Sequence, residues 1–164
     1  MPLTPASSAS AYCTAEEFLE RFDVRWVGDL LSDTGQKLTP PDVKTSTLLT
    51  SLLKEASGDV EAACFAGKRY DKDDLAALTG NSVQMLRGIV AGLTAFYLWE
   101  RRPERRGEMP KRCEIALQKL QALRNGDRIF AFTESAEAGK DSPVVLPATT
   151  LVSRTTRYFG QLDI

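Results

Sequence analysis

The chain has 164 residues, 43% hydrophobic and 26% charged, enough apolar material for one globular domain with some chain left for an arm. Its 21 basic and 22 acidic residues leave a net charge of −1, which excludes the large positive excess of a dedicated nucleic-acid binder. There is no histidine, which removes Ser–His and Cys–His catalysis, His-ligated metal sites and the commonest general base.

Residues 1–11 are rich in Pro, Ser and Ala and lack periodicity, so they read as a flexible lead-in. They have neither the basic nor the apolar region of a secretory signal. At Thr14 a capping box is predicted with Glu17, opening a short helix with Phe18, Leu19 and Phe22 on one face. A second short helix follows, striped by Trp26, Val27, Leu30 and Leu31, and Asp33-Thr34-Gly35 turns the chain. Pro40-Pro41-Asp42 starts the next segment. From Val43 to about Ala66 the apolar positions step by three and four, which predicts one long helix weakened by Gly58.

Gly67-Lys68-Arg69-Tyr70 closes that helix, and residues 71–78 predict a short one with aspartate in its first turn. Asn81 is the expected cap of the most hydrophobic helix, with Gln84 at its capping-box position and Met85, Leu86, Ile89, Val90, Leu93, Phe96 and Tyr97 as a wide core stripe. Residues 83–99 are interrupted by Gln84, Arg87 and Thr94, so they suit a buried helix better than a membrane span. Pro103 is expected to stop it, after Arg101 and Arg102 place positive charge at its end. A last helix is predicted from about Pro110 to Asn125, with Asn125-Gly126 as its stop.

Residues 128–132 read as one short strand. Beyond them, residues 133–164 are rich in Ser, Glu, Gly, Pro and Thr and cannot build a core alone. They nevertheless carry Tyr158 and Phe159, which points to an arm that docks on something. The fold class expected is mainly α: a compact bundle of four to five helices with a short strand and an extended C-terminal arm. Its divisions are a lead-in over 1–11, a helical domain over 12–132 and the arm over 133–164.

The chemistry that is missing narrows the function. Two Gly-Lys pairs fail as phosphate loops: Ala62 and Glu134 stand where the first glycine is needed, and Arg69 and Asp141 replace the Ser/Thr. The cluster Asp71, Asp73, Asp74 fails as a calcium loop, with Ala76 in place of glycine and Ser82 in place of the bidentate glutamate; a helix start explains it better. Cys13, Cys64 and Cys113 are odd in number and far apart, so they read as small buried hydrophobes in a reducing compartment. No catalytic residue, cofactor or metal site is expected, and the chain is not read as an enzyme.

The basic run Arg101, Arg102, Arg105, Arg106, Lys111, Arg112 admits two readings. It is either a solvated connection between helices or a patch facing packaged DNA or an acidic partner. Glu104 and Glu108 dilute it, so reading of bases is not expected.

Several stretches together carry a resemblance: Tyr12-Cys13-Thr14-Ala15-Glu16-Glu17-Phe18 leading to Arg21-Phe22, the Gly67-Lys68-Arg69-Tyr70 helix end, the Arg-rich break before Ala116-Leu117 and Leu120, and Val152-Ser153-Arg154-Thr155-Thr156-Arg157-Tyr158-Phe159-Gly160. Over residues 11–160 the pattern resembles the head–tail adaptor (head-completion) proteins of tailed bacteriophages, in the branch found in Mu-like prophages. It departs from them in lacking a proline-rich stretch after Tyr70 and in the loop over 133–150.

The resemblance implies a virion structural protein of the neck, made in the host cytoplasm. Such a protein forms a ring with itself, usually of about twelve copies, that joins the portal protein to a downstream connector or tail protein and extends the DNA channel. It implies that Arg154, Arg157, Tyr158 and Phe159 meet the portal or a neighbouring subunit, with no membrane partner. The other reading is a helical regulatory module that binds another bacterial or phage protein through the same arm.

Overall fold

A computed structural model describes residues 11–102, 104 and 107–131. The chain divides between Phe132 and Thr133, and every described residue belongs to the first unit. Residues 1–10 of the lead-in expected over 1–11, the expected helix stop Pro103 and the arm expected over 133–164 lie outside the described residues.

Seven helices follow in chain order among the described residues: α1 (Ala15–Leu19), α2 (Val24–Leu31), α3 (Pro40–Lys44), α4 (Thr47–Gly67), α5 (Lys72–Ala77), α6 (Gly80–Arg101) and α7 (Lys111–Arg124). The expected count of four to five is low because three of these are single turns or little more. Side-chain caps hold those short pieces, which are below the length at which a helix stands by itself. Thr14 and Glu17 form the expected capping box on α1, and Asp71 and Asp74 form one on α5. The aspartate cluster is thus engaged in its own helix start.

The helix expected from Val43 to Ala66 is two helices. Thr39 and Asp42 cap α3 reciprocally, and α3 ends at Thr45, whose hydroxyl donates to the Pro41 carbonyl at 3.0 Å. Ser46 then caps α4 by accepting from the Leu49 N–H. Side-chain competition of this kind is what Ser and Thr do near helix ends. The start of α6 also differs from expectation. Gly80 enters the helix at φ +55°, a left-handed turn that suits glycine, so Thr79 occupies the cap position and Asn81 lies in the first turn.

The long helices α4, α6 and α7 pack on one another pairwise; α2 covers α6 with α3 beside it, and α1 touches α3 and α4. Leu86, Ile89, Val90, Leu93 and Leu98 of α6 are buried, with Leu49, Leu53, Ala56 and Val60 of α4 and Cys113, Ala116, Leu120 and Leu123 of α7 around them. The aromatic rings of Phe18, Phe22 and Trp26 stack in sequence, with centroids 5.0 and 5.9 Å apart, and tie α1 to α2. All three cysteines are buried and free.

Close approach of backbones fixes α7. The C-terminal ends of α4 and α7 meet at Gly67 and Gly126, where a side chain on Gly67 would strike the Leu123 carbonyl. A Cβ added at Gly126, at φ +79°, would stand 2.7 Å from the Gly67 carbonyl oxygen.

The predicted strand over 128–132 is not found among the described residues: 128–131 form no regular structure, with a bend at Phe130, residues 129–131 bond to side chains instead of another strand, and residue 132 lies outside the described residues. The hydroxyl of Tyr70 accepts from the N–H groups of Ile129 and Phe130, at 3.0 and 3.2 Å. Ser82 Oγ accepts from the Ala131 N–H at 3.1 Å and donates to the Ala131 carbonyl at 2.9 Å. Phe130 is buried edge-on against Tyr70, ring centroids 5.3 Å apart. Two hydroxyls therefore satisfy the backbone groups that a ladder would otherwise take.

Candidate functional site

Of the expected basic patch, the described residues include Arg101, Arg102, Lys111 and Arg112; Arg105 and Arg106 lie outside. The last turn of α6 directs Arg101 and Arg102 back onto the end of α2. Arg101 donates to the Leu30 carbonyl at 3.0 Å and pairs with Asp33. Arg102 donates to the Ser32 carbonyl at 2.7 Å and to Asp33 at 2.5 Å, and reaches Glu104 at 3.2 Å. The carbonyls at a helix C-terminus lack partners and carry the negative end of its dipole, so two guanidinium groups complete them. The sequence shows no sign of this clamp, because Leu30, Ser32 and Asp33 are some seventy residues away from the arginines.

The arm residues Arg154, Arg157, Tyr158 and Phe159 lie outside the described residues. The Tyr70 and Ser82 clamp on residues 129–131 is the last feature of the body before them. It went unread in the sequence, since a lone Tyr and a lone Ser carry no pattern.

A groove of about 390 Å3 opens between the end of α1, the first half of α6 and α7. Arg21, Arg112 and Lys119 line it, with Phe22, Met85 and Ile115 as its apolar part. Arg21 donates to the Gln84 side chain at 3.0 Å, and Arg112 donates to the Arg21 carbonyl at 3.2 Å. The Nε–H of Arg21 is buried without an acceptor. Ile115 is 42% exposed, one of two large hydrophobic side chains standing open among the described residues; the other is Phe65 on α4.

Burial holds the three thiols, and the phenols of Tyr12 and Tyr97, in their protonated forms. Burial pushes Cys13 up to about 12, assisted by the Glu17 charge. Burial likewise raises Cys64 and Cys113 to about 11. Low-pKa reactive thiols show the opposite shift. Tyr12 and Tyr97 are raised as well, by burial and then by hydrogen bonds to Glu61 and Asp59. Among the described residues no group of acidic or cysteine side chains could hold a metal ion. No helix among them is long and apolar enough to cross a membrane.

The fold thus defines a helical bundle of three long helices braced by short capped ones. No protein-family model, curated protein or solved structure matches the chain.

Proposed function

We propose that this chain is a structural adaptor that assembles with itself and with neighbouring proteins, in the manner of a phage head–tail adaptor, and is not an enzyme. The observation that supports the reading is the split of the chain into a body and a remainder of different character. The chain clusters into two units that divide between Phe132 and Thr133. The remaining residues, 133–164, keep aromatic and arginine side chains of the type that anchors interfaces, in a segment too polar to form a core. An arm of this composition orders when it meets its partner and couples binding to folding. The portal, a downstream connector and further copies of the chain are the proposed partners, with Arg154, Arg157, Tyr158 and Phe159 in the contact.

Counting copies tests the proposal. Mass photometry of the purified chain, alone and with a portal protein encoded beside it, should reveal ring-sized closed assemblies. The double change Tyr158→Ala, Phe159→Ala should abolish them and leave the helical circular dichroism spectrum as it was. A species of one or two copies per target would favour a regulatory module instead. The proposed basic patch is tested apart from the clamp by Arg105→Gln with Arg106→Gln, which should lower DNA retention in filled particles.

A further inference from the structure

We infer that the groove between α1, α6 and α7 is a docking site for an acidic peptide segment of a partner protein, one that alternates carboxylates with apolar side chains. The inference stands apart from the adaptor reading and needs neither a ring nor the arm.

Three observations carry it. First, Arg21, Arg112 and Lys119 line one groove, no carboxylate lines it, and none of the three has a carboxylate partner among the described residues. The described surface otherwise pairs its buried or half-buried cations: Arg87 with Glu17, Arg101 and Arg102 with Asp33. Second, the Arg21 guanidinium is held in place and left without a counter-charge. Its Nη2 is fixed on Gln84 and its buried Nε–H has no acceptor. It passes Gly88, where an added Cβ would come within 3.9 Å of Nη1. A cation held rigid in advance loses less freedom on meeting a carboxylate than a mobile one. Third, Ile115 stands open beside Met85 and Phe22, so the cations surround apolar surface that water covers poorly.

The combination selects a peptide over a nucleic acid. A phosphate backbone would satisfy the cations and leave Ile115 uncovered, whereas a peptide supplies both kinds of group at side-chain spacing. Glu20 and Glu114, exposed on the neighbouring turns of α1 and α7, would repel a long polyanion and spare a short segment.

The test is fluorescence anisotropy with the full chain and a labelled Leu-Glu-Glu-Ile-Leu-Glu-Glu-Leu peptide. Its counterpart with glutamine for glutamate, and a labelled oligothymidylate, serve as the comparison probes. The acidic peptide should bind, the glutamine peptide more weakly, and the oligothymidylate least. Lys119→Gln should weaken the acidic peptide by about two- to fivefold, the range of an exposed ion pair. Ile115→Ser should weaken both peptides. Both positions are surface sites, so the helical spectrum and melting temperature should hold. The inference fails if the acidic peptide does not bind, or if it binds both variants as well as the parent chain. It also fails if oligothymidylate binds more tightly and is lost in the same variants.

Discussion

A methyl group added at Gly92 would stand 2.5 Å from the Ala116 side chain and 2.9 Å from the Arg112 carbonyl oxygen, inside the contact of α6 with α7. Real Cβ atoms do not come so close, and backbone cannot yield as a flexible side chain does. Gly92→Ala should therefore destabilise by about 1–3 kcal/mol through overpacking, read as a lowered melting temperature. One residue on, Leu93 is fully buried, and Leu93→Ala should cost about 2–5 kcal/mol through the cavity it leaves. The two effects have opposite steric origin, so a pair of melts tells a tight contact from a filled one. The sequence marks Leu93 plainly through its periodicity. It says nothing of Gly92, since a glycine reveals a close approach only once its neighbour is known.

The thiols give a second expectation at this scale. Unfolded cysteines ionise near about 8.5, while burial holds the three native thiols at about 11 to 12. A raised native value means that the contribution is fully present below the unfolded value and is lost as pH rises through the folded values. Stability should fall between about pH 9 and 12, and thiol reagents at pH 8 should label the chain only after denaturation. Rapid native labelling at pH 8 would mean that one of the three is accessible.

Among the elements, the junction of α2 with α6 rests on two arginines whose contacts differ in kind. Arg102 is mostly covered and completes the Ser32 carbonyl; Asp33, its charge partner, is 67% exposed. Exposed ion pairs contribute little, whereas charge-assisted bonds to backbone carbonyls contribute more. Arg102→Ala should thus cost about 1.5–3 kcal/mol and Asp33→Ala less than about 1 kcal/mol, by urea denaturation. Equal losses would place the stabilisation in the ion pair instead. This scale is also where periodicity reads best and fails most instructively. The stripes of α2, α4 and α7 are legible because each buries one face, while α6 is legible by its apolar content, being buried all round over residues 89–95. The break at Thr45–Ser46 is not, because hydroxyls that cap and hydroxyls that ride a helix look alike in sequence. The strand expected near Phe130 has strand-like residues, but its hydrogen bonds go to Tyr70 and Ser82, far away in the chain.

For the whole molecule, the division of the chain between Phe132 and Thr133 sets the expectation for truncation. A chain ending at Phe132 should remain soluble, keep its helical spectrum and melt cooperatively, while failing to form the proposed assemblies. A truncated protein that assembled as well as the full chain would remove the main support for the arm. The expectation of a body and an arm comes from composition alone. The basic groove is not legible there, because Arg21 follows α1, Met85 is on α6 and Lys119 on α7, and only the packing brings them together.

The hydroxyl clamp also has a mechanical meaning. When the chain is pulled at Ala131, the first resistance is the short bonds from Tyr70 and Ser82 to residues 129–131. Only after they yield would Phe130 be drawn from its seat against the Tyr70 ring. Load therefore arrives at the start of α6 and just past the end of α4, two of the helices that hold the bundle together, instead of peeling α7 away turn by turn. In an optical-trap experiment with the C-terminus tethered, Tyr70→Phe should lower the force of the first rip and leave the force of the final unfolding step unchanged.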